Sequence, residues 1–456
     1  MKNYGVIVIG SGAGAIISDE AAAQGLKVAL IDKGPLMGGT CLNWGCIPSK
    51  MLIYTADRTV EIEEAKKLGI EAEIKNIDFH SIMERMRKSR QESQVHIREG
   101  IKQSKNLAFY EGEGYFVGDY TLEVNGEKLK GEKIFIASGS RPLMPPIEGL
   151  ENVDYLTNES VLELTEKPDS LIIIGGGYIA VEFGHFFAAM GTDVTILEMA
   201  DRLVLSAEPE ISELLQRDLS KRMGVYKNAL AEEIKESEHG VVVITKDSNT
   251  GKRREFTAKS ILIGVGRRSN ADILKVENSG VETDKKGFIK VNEYLETNQN
   301  NIFAIGDANG QQMFRHMANK EAEIVAQNAF YRTKIKVDYS AVPNAVYSHP
   351  QVASVGLTEA KAREDYDILV GRMKYFDIAK GEAMMEKEGF AKAIVDKDSS
   401  RILSFHIIGP YAPELIQEVV NAMTSGGGME ELGQGIHIHP ALSELVQYTL
   451  NSLEES

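Results

Sequence analysis

The chain contains one local unit twice, and this duplication restricts its fold more than any other feature of the sequence. In the first copy an apolar run from Tyr4 to Ile9 leads into the segment Gly10-Ser11-Gly12-Ala13-Gly14-Ala15 and a helical stretch to about Gly25. A second apolar run, from Lys27 to Ile31, then ends at Asp32. A strand, a glycine turn, a helix and a strand in this order are typical of a dinucleotide-binding βαβ unit.

Each position in this first unit has a physical reason. Gly10 permits the tight turn, Gly12 lets the backbone approach a pyrophosphate, and the small Ala15 lets the helix pack on the strand. The N-terminus of the helix offers free N–H groups and the positive end of its dipole to phosphates. Asp32 follows Gly10 by 22 residues, which suits a hydrogen bond to a ribose hydroxyl.

The second copy repeats this spacing. Ser170 to Ile174 is a predicted strand, Gly175-Gly176-Gly177-Tyr178-Ile179-Ala180 is the turn, and Val194 to Leu197 leads to Glu198. One glycine pattern is weak evidence because ordinary loops also use glycine turns, whereas two copies with strand, helix and terminal acid are strong evidence. The chain is therefore predicted to bind two nucleotides, or one nucleotide beside a pseudo-site.

The remaining segments predict how the domains are joined. Ile134 to Pro142 and Ile261 to Arg268 are apolar strands that end in glycine and arginine, and Ile302 to Asp307 carries an acid at its carboxyl end. Beyond about residue 340 the pattern predicts an antiparallel hairpin, Ala391 to Val395 with Ile402 to Ile408, and a helix from about Pro413 to Met423. The predicted fold class is α/β, with two Rossmann-like dinucleotide-binding domains and a C-terminal α+β domain.

Charge and hydropathy exclude two classes of partner. Lys plus Arg is 51 and Asp plus Glu is 67, so the net charge is −16, which disfavours nucleic acid. The apolar start Val6 to Ile9 is interrupted by Gly10 and falls far short of the ~20 residues that span a bilayer. The chain is predicted to be cytoplasmic, with no membrane partner.

The sequence has two cysteines, Cys41 and Cys46, separated by four residues. Two are too few for a disulfide scaffold or a four-cysteine zinc site. The spacing alone also allows half of a metal site or two unrelated core cysteines, but a metal needs ligands from elsewhere and a redox pair does not. We expect a redox pair and no metal. If residues 41 to 50 begin a helix, its N-terminal field is expected to lower both thiol pKa values.

The segment Gly38-Gly39-Thr40-Cys41-x4-Cys46-Ile47-Pro48-Ser49-Lys50 resembles the active site of the class I pyridine nucleotide-disulfide oxidoreductases. The resemblance covers essentially the whole chain and keeps the order of its motifs. It implies an FAD-binding domain in two parts, residues 1–148 and 267–338, an NAD-binding domain at 149–266, and a dimerisation domain at 339–456. It also implies a homodimer.

The resemblance implies roles for single residues. Cys46 corresponds to the sulfur that lies against the flavin, and Cys41 to the sulfur that exchanges with substrate. Lys50 and Glu182 correspond to an ion pair near the flavin ring. Tyr178 corresponds to an aromatic gate over the flavin in some members, although a packing residue at a helix start explains it equally well.

The segment Gly435 to Glu444 resembles the histidine–glutamate dyad of the same family. His439 is implied to be the acid–base that protonates the leaving thiol, in the active site of the other subunit, and Glu444 to orient it. His437 is more simply a core or surface residue. Ala441 departs from the threonine that commonly follows the His-Pro pair.

The resemblance also implies the nucleotide sites. The candidate FAD-binding positions are Gly10, Gly12, Gly14, Ala15, Asp32, Lys33, Gly39, Thr40, Lys50, Ser138, Gly139, Arg267, Gly306 and Asp307. The candidate NAD-binding positions are Gly175, Gly177, Tyr178, Ile179, Glu198 and Gly266. A carboxylate such as Glu198 repels a 2′-phosphate, so NAD(H) is expected over NADP(H), although Arg202 lies close in sequence.

The sequence leaves two disulfide substrates. The family's mercuric reductases and large thioredoxin reductases carry a further C-terminal thiol or selenol pair, and no cysteine follows Cys46. Ile47 to Lys50 and Glu198 favour a dihydrolipoyl dehydrogenase, for which a 2-oxoacid dehydrogenase complex is a possible partner. Gly381 to Met384 and His437 to Ala441 favour a reductase of a small-thiol disulfide, of the mycothione or bis-γ-glutamylcystine type. We place dihydrolipoamide first.

A different class, a nucleotide-binding redox sensor without turnover, has no need of an acid–base dyad. The complete set of catalytic candidates therefore disfavours it. The direction of electron flow depends on small differences in potential, which the sequence does not determine.

Overall fold

The computed structural model describes residues 1–331 and 333–455; Arg332 and Ser456 lie outside the described residues. The strands are β1 (Lys2–Ile9), β2 (Val28–Asp32), β3 (Leu107–Glu111), β4 (Tyr115–Gly118), β5 (Thr121–Val124), β6 (Glu127–Ile136), β7 (Ser140–Pro142), β8 (Ser170–Ile174), β9 (Asp193–Leu197), β10 (Gly224–Tyr226), β11 (Ala229–Ser237), β12 (Gly240–Asp247), β13 (Arg253–Ala258), β14 (Ser260–Ile263), β15 (Arg267–Ser269), β16 (Ile302–Ala304), β17 (Pro343–Val346), β18 (Val352–Gly356), β19 (Ile368–Lys374), β20 (Phe390–Asp396), β21 (Ile402–Ile408) and β22 (Glu454–Glu455).

The helices are α1 (Gly14–Ala23), α2 (Gly39–Asn43), α3 (Cys46–Glu64), α4 (Phe79–Gln103), α5 (Tyr178–Ala189), α6 (Pro209–Leu219), α7 (Arg315–Phe330), α8 (Glu359–Asp365), α9 (Ala379–Ala383), α10 (Ala412–Thr424), α11 (Met429–Gln434) and α12 (Glu444–Asn451). Short 3-10 segments lie at Ala65–Leu68, Leu150–Asn152, Ser160–Glu163, Val276–Ser279, Gly306–Ala308 and Tyr375–Asp377. Among the described residues, no helix is both long enough and apolar enough to cross a membrane.

The chain divides into two compact units. The first contains Met1–Ser49, Met83–Leu143 and Gly266–Asp338, and the second contains Lys50–Ile82, Met144–Val265 and Tyr339–Ser456. The division therefore falls inside α3, after Ser49, and inside α4, after Ile82. The four-segment domain scheme derived from the sequence stays a prediction.

The first unit is built on a mixed sheet with the strand order β3-β2-β1-β6-β5-β4, in which β16 also pairs with β6. Strands β3, β2, β1, β6 and β16 are parallel to one another, whereas β5 is antiparallel to β6 and to β4. Because β1 is central and covered on both faces, its second half, Val6 to Ile9, is apolar and buried without alternation, whereas Lys2 and Asn3 at its start are exposed. Val6 and Val8 pack on the side of α1 and α7, while Ile7 and Ile9 pack on the opposite core.

The second unit contains the second copy of the βαβ unit. Strands β10, β9, β8 and β14 form a parallel sheet in that order, next to an antiparallel sheet of β11, β12 and β13. Strand β8 runs Ser170–Ile174 and α5 begins at Tyr178, as the glycine spacing predicts. The two βαβ units of the sequence are therefore confirmed, each in its own unit of the structure.

The C-terminal part of the second unit is an antiparallel sheet with the order β17-β18-β21-β20-β19-β22. The predicted hairpin is β20–β21, which pairs Phe390 with Ile408 and Ala391 with Ile407. Helices α10 and α12 pack their apolar residues, among them Ile416, Val419 and Leu445, on one face of this sheet. The predicted α+β domain and the overall α/β fold class are confirmed.

Candidate active site

The first glycine loop forms a cradle that has no room for side chains. Gly10 has φ +103°, and a Cβ there would lie 2.2 Å from the carbonyl oxygen of Ala137. Gly39 has φ +70°, and its Cβ would lie 2.8 Å from the Cα of Gly12. Glycine is the residue that adopts these conformations without strain. The backbones of the two loops thus approach each other closely at the N-terminus of α1, where Gly14 and Ala15 begin the helix.

Ser11 connects the two sides of this cradle. Oδ2 of Asp32 accepts hydrogen bonds from the Ser11 backbone N–H at 2.7 Å and from its hydroxyl at 2.5 Å. The same hydroxyl oxygen accepts the Gly38 N–H at 2.8 Å. Oδ1 of Asp32 accepts the Gly34 N–H at 3.2 Å. The acid at the end of β2 is therefore held at the rim of the glycine loop, with Lys33 exposed beside it.

The fit of a flavin nucleotide can be tested on a polar atom of this region. The Ser138 hydroxyl is buried and has no hydrogen-bond partner among the described residues. A buried hydroxyl without a partner is costly, so a ligand acceptor or donor at this position accounts for it. Together with the crowded glycine cradle and the α1 N-terminus, it gives the first unit the donor set that a dinucleotide needs. The residues present fit FAD.

A second acid lies at the other predicted strand end of this unit. Oδ2 of Asp307 accepts the Ser140 hydroxyl at 2.5 Å, and the Arg267 Nε donates to Ser140 Oγ at 2.7 Å. Gly306, with φ +61°, makes the turn that brings Asp307 to this position. The partly buried Gly139, φ +67°, precedes Ser140. Ser140 was not among the predicted site residues, yet it links two that were.

The glycine loop of the second unit repeats the first geometry. Gly175 has φ +112°, and a Cβ there would lie 2.4 Å from the carbonyl oxygen of Gly264. A Cβ on Gly176 would lie 2.7 Å from Oε2 of Glu198, so this carboxylate lies directly against the loop. Gly177 and Ile179 lie at the start of α5, and Tyr178, its first residue, is 40% exposed. Gly266 is exposed and belongs to the first unit.

The surroundings of Glu198 bear on the choice of nucleotide. Its Oε1 accepts the Ala200 N–H at 2.6 Å, and its side chain is buried. Arg202 points one terminal nitrogen toward the carbonyl oxygen of Leu205 at 3.4 Å and the other toward Asp201 at 3.6 Å. Its Nε is buried without a partner among the described residues. The Glu198 carboxylate is thus fixed at the loop, and the Nε–H of Arg202 remains a hydrogen-bond donor without an acceptor among the described residues.

Both cysteines lie at one place in the first unit, in the dithiol form. Cys41 is in the middle of the short α2 and Cys46 is the first residue of α3, and Trp44 and Gly45 turn the chain between them. The side chains of Cys41 and Cys46 are hydrogen-bonded to each other. The predicted sulfur pair is therefore formed, with Cys46 exposed and Cys41 half-buried.

The expectation that a helix N-terminus lowers both thiol pKa values is wrong for Cys41. The hydrogen bond to Cys46 and burial raise the pKa of Cys41, and the nearby Arg315 only partly opposes them. The reason is that Cys41 lies inside α2 and not at the start of α3, so the dipole of the long helix acts at Cys46. The sulfurs of Cys41 and Cys46 therefore lie in different electrostatic environments.

Arg315 is a residue that the sequence analysis missed. It begins α7, and its guanidinium lies close to the glycine cradle, 3.5 Å from where a Cβ on Gly12 would stand. It also acts on the Cys41 thiol as a positive charge. No spacing in the sequence relates residue 315 to residues 12 and 41, so no sequence signal identifies it.

The predicted ion pair is present in the second unit. Lys50 Nζ donates to Glu182 Oε2 at 2.7 Å, and Glu182 Oε1 accepts the Tyr347 N–H at 3.0 Å. Lys50 Nζ also lies 4.6 Å from the centre of the Tyr347 ring. Burial raises the pKa of Glu182, and Lys50 and the Tyr347 N–H only partly oppose this rise. Lys50, one helical turn after Cys46 on α3, is thereby held by a buried carboxylate.

The predicted dyad is present as well. His439 Nδ1 lies 2.9 Å from Glu444 Oε1, and Glu444 Oε2 accepts the Ala441 N–H at 3.0 Å. These contacts, first the Ala441 N–H and then His439, lower the pKa of Glu444. Glu444 is buried at the start of α12, whereas the side chain of His439 is 69% exposed. An ionised, buried glutamate therefore orients an exposed imidazole.

His437 has a partner of its own. Its Nε2 lies 2.7 Å from Glu418 Oε1 on α10, and its side chain is 7% exposed. The flanking Ile436 and Ile438 are 100% and 77% exposed. The contact with Glu418 thus anchors the loop that carries His439 to α10.

Among the described residues, Glu208, Glu210 and Glu359 lie close enough together to hold a metal ion. Lys392 already occupies the centre of this cluster, with Nζ 2.7 Å from Glu210 Oε1 and 2.7 Å from Glu359 Oε2, and it is also bonded to Glu208. The cluster is therefore an ammonium site made by the chain itself.

Comparisons with known proteins agree with this geometry. Residues 4–369 match the family described as pyridine nucleotide-disulphide oxidoreductase, and residues 342–450 match the dimerisation domain of the same family. Mycothione reductase of Mycobacterium tuberculosis is 34% identical over 99% of this chain and 100% of that protein. Dihydrolipoyl dehydrogenase of Geobacillus stearothermophilus is 36% identical over 96% and 94%. The structure of the HOCl-induced flavoprotein disulfide reductase RclA from Escherichia coli superposes with a TM-score of 0.88 at 29% identity, over 98% of this chain and 99% of that one.

Proposed function

Because the chain belongs to the pyridine nucleotide-disulphide oxidoreductases, a family of FAD-containing, NAD(P)-dependent enzymes, we propose that it transfers two electrons between a dithiol/disulfide substrate and NAD(H). The observation that supports this most directly is the hydrogen-bonded pair of Cys41 and Cys46, which lies in the same unit as the glycine cradle. We propose dihydrolipoamide as the substrate.

FAD, when bound, would supply the two-electron chemistry that connects the cysteine pair to NAD⁺. The residues that hold it are those of the first cradle, where Gly10, Gly12 and Gly39 let the backbone approach the pyrophosphate and the α1 N-terminus provides N–H donors. Asp32 takes the adenosine ribose. Ser138 and Asp307 provide further polar contacts.

The NAD site is proposed at the second glycine loop. Gly175 and Gly177 form the turn, and Glu198 accepts hydrogen bonds from the ribose hydroxyls. A phosphate on the 2′ position would meet this buried carboxylate at the loop, so NAD(H) is preferred to NADP(H). Tyr178 and Ile179, at the start of α5, line the same turn.

The disulfide exchange takes place in two successive thiolate attacks. One thiolate of the dithiol substrate attacks Cys41 Sγ of the oxidised Cys41–Cys46 pair, which breaks the S–S bond and releases Cys46 as a thiolate. The second substrate thiolate then attacks the substrate sulfur bound to Cys41, which releases the oxidised substrate and leaves Cys41 reduced. The two electrons leave with NADH, and one proton is released to solvent.

His439 moves the protons in this exchange. It takes the proton of the attacking substrate thiol and returns it to the departing Cys41 sulfur, since a protonated thiol is the better leaving form. Burial and the Cys46 hydrogen bond raise the pKa of Cys41, so this sulfur accepts a proton readily. Glu444 holds the imidazole through Nδ1 and leaves Nε2 for the reaction.

We further propose that His439 serves the cysteine pair of a second protomer, because residues 342–450 match the dimerisation domain. Cys41→Ser and His439→Gln homodimers are then both inactive. Random mixing of the two variants makes half of the dimers mixed, each with one competent site, and restores about a quarter of the wild-type activity. If the mixture stays inactive, the histidine acts within its own chain.

A small-thiol disulfide is the second candidate substrate, favoured by the likeness to mycothione reductase over almost the full length of both proteins. In that case the same residues work in the reductive direction. A steady-state panel separates the candidates, with dihydrolipoamide and NAD⁺ in one arm and mycothione or bis-γ-glutamylcystine with NADH or NADPH in the other. A kcat/KM for dihydrolipoamide below that for either disulfide refutes the first assignment.

The redox pair itself is tested by absorbance. The holoprotein is expected to be yellow and to develop a long-wavelength charge-transfer band when it takes up two electrons. Cys46→Ser abolishes this band, and the matched Cys41→Ser variant keeps it, because only Cys46 is proposed to contact the flavin. A holoprotein without the band, or a colourless one, favours a binding protein without turnover.

A further inference from the structure

A second buried contact joins α3 to α5, away from the Lys50–Glu182 pair. His185, on α5, is completely buried. Its Nε2 lies 2.8 Å from Oδ1 of Asp57 on α3, and its Nδ1 lies 2.9 Å from a terminal nitrogen of Arg222. All three belong to the second unit.

The chemistry of these partners determines the tautomer of His185. A guanidinium is always a donor, so Nδ1 must be the acceptor of the Arg222 N–H. Nε2 then carries the proton and donates it to Asp57. His185 is therefore a neutral connector between a cation and a carboxylate, in a form that agrees with the lowering of its pKa by burial.

This network continues to the segment that follows β17. The other terminal nitrogen of Arg222 donates to the carbonyl oxygen of His349, and His349 Nε2 lies 3.2 Å from Oε1 of Glu64 on α3. The rings of His185 and His349 are stacked, with centres 6.2 Å apart. One network thus joins α3, α5 and His349, in the segment that follows β17.

The Lys50–Glu182 pair joins the same three segments. Lys50 is on α3, Glu182 is on α5, and the Tyr347 N–H completes the contact. Asp57 follows Lys50 by two helical turns, and His185 follows Glu182 by about one, so each member of the second network lies on the same helix face as its counterpart. The two networks are successive polar layers between the same elements.

We propose that His185 is a positioning residue for the redox centre: by joining Asp57 to Arg222 it keeps α3 and α5 in the register that holds the Lys50 ammonium on Glu182. This rests on the proposed function and on the expectation, implied by the resemblance of the sequence, that the Lys50–Glu182 pair lies near the flavin ring. The side chain of Lys50 is 32% exposed, so its long, flexible stem depends on the position of Glu182. In the wild-type position the ammonium would stabilise the negative charge of the reduced flavin. Loss of the second layer would let the ammonium leave that position.

The test measures the equilibrium between NADH and the flavin of purified holoenzyme, together with the charge-transfer band. His185→Ala is expected to shift this equilibrium about tenfold toward oxidised flavin, equivalent to ~30 mV for a two-electron couple. His185→Gln provides both a donor and an acceptor in one amide and is expected to recover most of the shift. If His185→Ala gives no holoenzyme, Asp57→Asn replaces it in the same assay, with a smaller shift in the same direction expected.

His406 provides a matched control. It is 1% exposed in the same unit, with Nδ1 3.0 Å from Ser354 Oγ and Nε2 3.0 Å from the carbonyl oxygen of Leu357, and it has no contact with either network. His406→Gln should leave the flavin equilibrium unchanged even where it lowers stability. If it shifts the equilibrium as much as His185→Ala, or if the His185 and Asp57 variants match the wild type, the inference is wrong.

A reference variant separates this inference from the proposed function. Lys50→Met is expected to shift the flavin equilibrium at least as far as His185→Ala. If Lys50→Met has no effect, the proposed position of the ion pair near the flavin is wrong, and the role of His185 falls with it. If Lys50→Met shifts the equilibrium and the His185 and Asp57 variants do not, only the role of His185 is refuted.

Discussion

Replacing Lys392 by methionine is expected to destabilise the second unit strongly. Lys392 is 2% exposed, and its ammonium is bonded to Glu208, Glu210 and Glu359, of which Glu208 is equally buried. Methionine fills nearly the same volume but leaves three carboxylates facing one another. Removing one partner from a buried ion pair costs about 3–5 kcal/mol.

The pKa values of the carboxylates provide a second way to calculate the free-energy cost of Lys392→Met. The pKa of Glu359 is lowered from 4.5 to about 2 by Lys392 and Arg363, against the opposing effect of burial. A shift of this size corresponds to at most about 3 kcal/mol, which partial exposure reduces to about 1–2 kcal/mol for Glu359 alone. Arg372, 3.2 Å from Glu210, offsets part of the loss. We expect a net cost of about 3 kcal/mol, or a fall of about 10 °C in the unfolding midpoint.

The pH dependence has a definite sign. In the wild type the pKa values of Glu210 and Glu359 are lowered, that of Glu359 to about 2. Their contribution to the free energy of unfolding is therefore complete above the ordinary value of 4.5 and is lost as the pH falls through the lowered pKa values. Without the ammonium, burial and mutual repulsion raise the pKa values of these carboxylates. The loss in the free energy of unfolding caused by Lys392→Met should therefore grow as the pH rises from 5 to 7, because ionisation of the carboxylates then favours the unfolded chain.

Thermal unfolding at pH 5 and pH 7 tests both the size and the sign. Lys361→Met is the matched control, since Lys361 pairs with Glu364 at the surface and both side chains are more than half exposed. It should cost less than about 1 kcal/mol. If Lys392→Met unfolds within a few degrees of this control, or if its deficit is larger at pH 5, the reasoning is refuted.

Three further predictions concern the candidate site. His439→Gln should lower kcat by about 10²–10⁴-fold and leave the flavin spectrum unchanged, with Glu444→Gln giving a smaller loss, as steady-state rates will show; equal rates for wild type and His439→Gln would exclude the acid–base role. Gly39→Ala should abolish FAD retention because its Cβ would lie 2.8 Å from the Cα of Gly12, whereas Gly69→Ala, also at positive φ but with open space around it, should keep the flavin, as the flavin-to-protein absorbance ratio of the purified variants will show. Glu198→Ala should reduce the preference for NADH over NADPH by about tenfold in kcat/KM, and an unchanged ratio would contradict the role of this carboxylate.

Much of the fold was determined by local features of the sequence. The two glycine turns, the apolar strands before them and the acids at Asp32 and Glu198 are separated by short, regular distances, and a βαβ unit requires these distances whatever surrounds it. The cysteine spacing is equally local, but it left a metal site and unrelated core cysteines open; the pairing of Cys41 with Cys46 followed from the lack of further metal ligands and from the resemblance of residues 38 to 50 to a known active site. The hairpin β20–β21 followed from two apolar runs and a polar turn.

Only the tertiary structure decided how distant groups act on these residues. The rise in the pKa of Cys41 depends on burial and on a hydrogen bond formed across a turn, which a helix pattern does not reveal. The partners of His185 come from residues 57 and 222, and those of Lys392 from residues 208 to 359. Electrostatic and hydrogen-bond energies depend on distance in space and on burial, and neither follows from separation along the chain.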